Sequence, residues 1–192
     1  IQRTARDGRV PLTVVRAGEE LKIELPVSPR RPMLIPDLDG SYPSYFVYGP
    51  LVFSTATQHF LAGLNNAAVG LAAGRSPLSV RRAERPAFPG EALVVVSSPF
   101  FPHKLSKGYS QAQSGVVEKV NGIAIKNLEH LVAVLRDAQE DFIVFEFAGR
   151  RYETPVFPRK EMMAATEDIL NDNGVRAQGS PDTLAVWNAA AG

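Results

Sequence analysis

Three histidines, His59, His103 and His130, are the side chains of this sequence best suited to acid–base or metal chemistry near neutral pH. A hydrolytic triad needs a nucleophile on a tight, Gly-flanked turn with a base and an acid in reach. No Gly-x-Ser-x-Gly and no Gly-Asn-Ser-Gly-Gly-like segment occurs. His59 and His130 fall within helical patterns, and His103 sits between Pro102 and Lys104 in a loop-like stretch, so each has a simpler structural role. No two histidines stand at i, i+4, and no carboxylate completes a ligand set. Asp37-Leu38-Asp39-Gly40 begins like a calcium loop but lacks the later oxygen ligands and the closing Glu; a plain turn is expected. No phosphate loop or dinucleotide fingerprint is found. Without Cys, thiolate chemistry and disulfides are excluded. No catalytic residue, metal or cofactor is therefore expected.

What remains is the chemistry of backbone pairing. Tyr48-Gly49-Pro50-Leu51-Val52-Phe53 reads as a glycine-bearing loop leading into a strand, and Leu128, His130, Leu131 and Leu135 lie on a later amphipathic helix. That is equipment for β-strand addition: an extended peptide pairs with an open strand edge, and loop N–H groups receive a carboxylate. Gly49 would let those amides converge, while Pro50 removes one donor. Leu51 and Phe53 alternate with Val52 as a half-buried strand requires. Simple core duty is the alternative for Leu51, Phe53, Leu128, Leu131 and Leu135. His130 either selects side chains at a groove entrance or covers the helix surface. Trp187 either anchors a neighbouring subunit or belongs to a disordered end.

The elements that must position these residues announce themselves by repetition. Residues 12–27 and 143–157 both read strand, turn, strand, with Ala17-Gly18 aligned on Ala148-Gly149 and two charged residues after each. So the chain is expected to begin inside the end of one module and to run through a second. Residues 1–28 form a closing hairpin, 29–44 a turn-rich linker, 45–158 a complete domain, 159–174 a helix and 175–192 a flexible tail. Within the domain, residues 58–72 repeat apolar positions at helical spacing, and residues 73–90 and 99–114 read as loops. Val116 to Val120, Asn121-Gly122 and a second short strand precede a helix capped by Asn127. The hairpin of residues 12–25 has apolar residues in need of cover, and packing on the main domain or on another copy is expected. With 21 basic against 20 acidic residues, nothing marks a polyanion-binding surface. No apolar run is long enough to span a membrane.

Three segments resemble the PDZ domains of Deg/HtrA-type serine proteases, in particular the subgroup with two PDZ domains. Pro43-Ser44-Tyr45-Phe46-Val47-Tyr48-Gly49-Pro50-Leu51-Val52-Phe53-Ser54 resembles that subgroup's Pro-Ser-Tyr … Gly-Leu-Val-Phe block. Lys119-Val120-Asn121-Gly122 with Asn127-Leu128-Glu129-His130-Leu131 is similar to its second PDZ domain, and residues 14–25 to the end of the first. The likeness covers about residues 10–165. It departs from the family in having Gly49-Pro50-Leu51 where Gly-Leu or Gly-Phe is usual, which favours a loop filled internally. The resemblance implies an α+β, mainly β fold: a small barrel-like sandwich of five to six strands, two capping helices and an extra C-terminal helix.

It also implies a non-catalytic interaction module of a serine endopeptidase engaged in protein quality control. Peptide would add to the 50–55 strand beside the 127–138 helix, touching Tyr48, Gly49, Pro50, Leu51, Val52, Phe53, Leu128, His130, Leu131 and Leu135. The implied partners are peptide segments of other subunits or of unfolded substrates, within a homo-oligomer. Neither nucleic acid nor membrane insertion is implied, and a bacterial member would be periplasmic or secreted. The alternatives are a pure scaffold with an internally blocked groove, or an enzyme with an unrecognised site.

Overall fold

Ala17 and Gly18 take φ of 55° and 85°, the two left-handed positions of a two-residue hairpin turn. In the computed structural model, which describes residues 8–27, 32–64, 67–109, 112–150 and 152–189, this turn joins β1 (Arg9–Arg16) to β2 (Glu19–Pro26). The pair lies in the first of two compact units, Ile1–Pro32. The register sets Val10 opposite Leu25, Leu12 opposite Ile23 and Val14 opposite Leu21. Alternation thus gathers six apolar side chains on one face of the ribbon, and Val27 N–H closes its open end on the Gly8 carbonyl at 2.7 Å.

The second unit, Met33–Gly192, is built on a seven-stranded sheet ordered β3-β4-β5-β6-β8-β9, with the short β7 beside β6. Its strands are β3 (Tyr45–Tyr48), β4 (Leu51–Thr55), β5 (Val94–Val96), β6 (Val116–Val120), β7 (Ile123–Ala124), β8 (Phe142–Ala148) and β9 (Val156–Pro158). All its strand pairs are antiparallel. Helices α1 (Gln58–Gly63), α2 (Ala68–Ala73), α3 (Pro77–Val80), α4 (Leu128–Asp137), α5 (Arg159–Asp172) and α6 (Pro181–Trp187) complete it. Mixed α+β and mainly β, this is the class the resemblance implied, although the described residues of the unit form seven strands and six helices where five to six strands, two capping helices and one C-terminal helix were expected.

Both faces of the sheet are covered, which is why Val94, Val95 and Val96 are all buried. Phe53, Val94, Val96 and Phe145 point into the larger core with α4; Val95 and Val116 point into a smaller one with Leu34, Ile35 and Leu78. Helix α4 starts where the Asn127 side chain accepts the His130 N–H at 2.8 Å. Its Leu128, Leu131, Val132 and Leu135 recur every three or four residues and are all buried. Helix α5 buries Met162, Ala165, Thr166 and Ile169 by the same spacing.

Several sequence expectations are corrected here. Leu34 and Ile35, assigned to a linker, are fully buried, and Leu34 N–H donates to the Glu84 carbonyl at 3.0 Å. Their apolar run serves the smaller core; residues 28–31 lie outside the described residues. The helix expected over 58–72 is two helices, α1 and α2, and a capped turn of helix, α3, stands in the stretch read as loop. The repeat in the sequence is not repeated in space. After Gly149 the Arg150 N–H donates to the Gly74 carbonyl at 3.1 Å, so the chain leaves the ladder and returns only as β9. Residues 175–189 are no tail: they hold a β-bridge and α6.

Candidate functional site

The Gly49-Pro50 turn is filled from inside. Gly49 has φ +54°, and its N–H donates to the Thr166 hydroxyl of α5 at 2.7 Å. A Cβ at this position would stand 2.8 Å from Met162 Cε. The Pro50 carbonyl accepts the Phe101 N–H at 2.9 Å. This turn therefore presents no free amide to an incoming carboxylate.

Strand β4 is equally unavailable, because β3 and β5 pair with its two edges. Leu51 and Phe53 are fully buried, Phe53 stacking on Phe145 at 5.4 Å between ring centroids; Val52 is half-buried. Leu128, Leu131 and Leu135 join the same core. Strand addition to residues 50–55 is thus corrected: an antiparallel strand with a partner on each side has no edge to offer. His130 faces an open cleft of about 400 Å³ beside Asn121, Ile123 and Val134. Burial, and then the charge of Lys126, hold its pKa below the ordinary imidazole value.

The sheet's edge beside α4 and α6 is β3, and it is occupied. Phe46 forms an antiparallel bridge with Gly179. Val47 N–H donates to the Gln178 carbonyl at 2.7 Å, and Gln178 Nε2 donates back to the Val47 carbonyl at 3.0 Å. Ser180 N–H donates to the Tyr45 carbonyl at 3.0 Å, where the Thr183 hydroxyl also donates at 2.8 Å. Tyr45 N–H donates to Ser180 Oγ at 3.0 Å and Tyr45 OH to the Ala177 carbonyl at 3.1 Å.

Helix α6 continues this run and packs against both β3 and α4. Arg136 Nη1 of α4 donates to the Val186 carbonyl at 2.7 Å. Trp187 brings its ring to 5.2 Å from Phe46 and 6.1 Å from Tyr48, in tilted and edge-on contacts. Tyr48 OH is buried with no hydrogen-bond partner among the described residues, and burial pushes its pKa up to about 12 against a smaller pull from Arg159. Ser44 Oγ, in the residues leading into β3, lies 2.5 Å from Asp182 Oδ2. Burial alone would raise the Asp182 pKa, but the Ser180 and Ser44 hydroxyls and the local N–H groups hold it below the ordinary carboxyl value.

Of the peptide-contact residues expected from sequence, the structure places Tyr48 alone at this edge, and Trp187, expected to anchor a neighbouring subunit or to be disordered, packs there on its own chain. Ser44, Tyr45, Phe46 and Val47 on one side, and residues 178–180, Asp182 and Trp187 on the other, were missed as a unit. The legible signal was Ser180-Pro181-Asp182, a helix start with Pro in its first turn. Among the described residues no group of His, Asp and Glu is arranged to hold a metal ion, and no helix is long and apolar enough to cross a membrane.

A family model described as "PDZ domain" matches residues 36–182. Protease Do-like 2, chloroplastic, of Arabidopsis thaliana is 29% identical over 171 residues, covering 89% of this chain and 27% of that protein. The putative protease Do-like 11, mitochondrial, of the same plant is 24% identical, covering 88% of this chain and 25% of the relative. Protease Do-like 4, mitochondrial, also from that plant, is 27% identical over 67% of this chain and 22% of its own length. The chain thus spans about a quarter of the length of these curated relatives. An edge strand beside a helix, a PDZ match over most of the residues and these relatives agree: the chain belongs to the PDZ domain family, in the form found in Deg/HtrA-type proteases.

Proposed function

We propose that this chain is a non-catalytic interaction module of a Deg/HtrA-like serine endopeptidase. It binds peptide segments, of other subunits or of unfolded substrates, by strand addition to the outer edge of β3, with α4 as the opposite wall. The observation that carries this reading is the antiparallel pairing of residues 178–180 with Tyr45 and Val47. It is strand addition performed by the chain on itself, with main-chain bonds for affinity and side-chain contacts for selection.

The variant that tests it is Val47→Pro. Proline at an edge strand deletes the outward N–H and leaves the pairing with β4 in place. Peptide-array capture and solution mass by light scattering are measured on the wild-type and variant chains, with circular dichroism as the check on folding. Loss of capture, or of the oligomer, in a folded Val47→Pro chain is expected. Capture and mass both unchanged would sink the reading.

A second reading has its own observation. Trp187 seals the edge over Phe46 and Tyr48, as it would in a scaffold whose groove stays closed. A stable oligomer that captures no peptide under any condition would favour it.

A further inference from the structure

A side chain at Gly179 would crowd the pairing on β3. A Cβ there would stand 3.0 Å from the Phe46 ring and 3.1 Å from the Tyr45 carbonyl oxygen, and would run into Thr183 Oγ1. Close backbone approach therefore demands a residue with no side chain opposite Phe46. One residue before it, Gln178 grips Val47 through both its carbonyl and its side-chain amide. Three residues after it, Asp182 sets a carboxylate against Ser44. Trp187 then lays an aromatic ring across Phe46 and Tyr48.

These contacts lie outside the helix's own hydrogen bonds, and a seven-residue helix depends on them. Helix α6 is far below the length at which an isolated helix holds together in water. Docking on β3 and α4 is what keeps it folded, so its helical state and its occupancy of the edge come and go together. The segment does not end at the edge: beyond Ser180 it runs on into α6. The edge thus accommodates a continuing chain, and the carboxylate it receives is a side chain.

We propose that residues 178–187 are an intramolecular ligand, a displaceable plug whose features define what this groove binds. That ligand class is an internal polypeptide segment with Gly opposite Phe46, a side-chain carboxylate at Ser44 and an aromatic ring over Phe46 and Tyr48. The proposal rests on the reading of β3 as a peptide-accepting edge. Tethered to α5 through residues 173–177, the plug acts at an effective concentration on the order of millimolar. A ligand in trans gains the groove only when the plug is loosened or outcompeted.

The test uses the full chain and a labelled synthetic peptide carrying the sequence of residues 176–189. Trp187 is the sole tryptophan, so its emission and its quenching by iodide report the plug. Gly179→Val is the release variant, because it disturbs the ligand and leaves β3 and α4 untouched. Expected are a red-shifted, more quenchable Trp187 and binding of the peptide at least roughly tenfold tighter than by the wild-type chain. A second peptide, carrying the same Gly179→Val exchange, should bind neither protein. Trp187→Ala, which removes the aromatic anchor without entering the strand pairing, is the second release variant and is read by peptide binding alone.

Peptide binding equal in the wild-type chain and in both variants overturns the plug while sparing the peptide-accepting edge. A released Trp187 with no peptide bound by any of the three proteins overturns the edge itself, and the plug with it. Equal binding of the native-sequence peptide and of its Gly179→Val counterpart overturns the proposed ligand class.

Discussion

The Thr166 hydroxyl accepts the Gly49 N–H at 2.7 Å and donates its own proton to the Met162 carbonyl at 2.8 Å. One buried side chain on α5 thereby satisfies the amide of the Gly49-Pro50 turn and stays in helical register. Removing the hydroxyl leaves a buried N–H without a partner, which costs about 1–3 kcal/mol. Thr166→Val should lower stability by that amount in urea unfolding, and Thr166→Ser should restore most of it. An unchanged midpoint in Thr166→Val would mean that water reaches the amide.

Gly49 is a separate constraint on the same turn. Its left-handed φ and the nearness of Met162 Cε both oppose a Cβ. Gly49→Ala should cost about 1–3 kcal/mol, and less in a Met162→Ala background, where the side chain in the way is gone. A double-mutant cycle separates steric from conformational cost; a purely additive result would leave backbone strain as the whole effect.

Leu131 lies in the core, with its side chain fully buried under the sheet. Leu131→Ala should therefore cost about 2–5 kcal/mol in unfolding measurements while leaving the ranking of bound peptides as it was. A changed ranking at unchanged stability would return Leu131 to the ligand surface.

Burial first, and then the charge of Lys126, keep the His130 pKa below the ordinary imidazole value, and its Nδ1 accepts the Lys126 N–H at 3.2 Å. A base whose folded pKa is depressed binds fewer protons when folded than when unfolded. Its contribution is complete above the unfolded value near 6.5 and is lost as pH falls towards the folded value. The urea midpoint should drop over that interval, and His130→Gln should flatten the drop. A slope that survives the substitution would assign it to other groups.

Glu91 works in the opposite chemical sense with the same direction in pH. Its carboxylate meets Arg81 at 2.6 Å. That guanidinium first, against the desolvation of burial and with help from the Ala87 N–H, keeps the carboxyl below its ordinary range. The stabilisation is present above the unfolded carboxyl pKa and lost as pH falls through the folded one. Glu91→Gln should cost about 1–3 kcal/mol at neutral pH and reduce the acid sensitivity of the loop between α3 and β5, read by hydrogen exchange. Equal acid sensitivity in both proteins would contradict this.

Local chemistry was legible wherever neighbours in sequence are also neighbours in space. Ala17-Gly18 can only be a tight turn between β-formers, and Asn127 followed by apolar residues every three or four positions can only start an amphipathic helix. The mainly β, PDZ-like class was what the resemblance of such segments to a known family implied. Which strand lies at the edge did not. Both Tyr45-Phe46-Val47-Tyr48 and Leu51-Val52-Phe53 read as apolar strands, and nothing in their composition tells an inner strand from an outer one. That depends on whether Val94 to Val96 pairs on the far side of β4, a contact about 40 residues away in sequence.

The occupant of the edge was hidden for a related reason. Residues 178–187 are small and polar apart from a few apolar side chains, without a strand-like alternation, because beyond one short helix their placement comes from Tyr45, Phe46, Val47 and Arg136. Sequence by itself determined the elements whose hydrogen bonds close locally and whose apolar stripes are self-evident. Tertiary structure decided which edge remains, what fills it and which of the expected groove residues sink into the core, since long-range pairing alone settles which backbone groups are left to be satisfied.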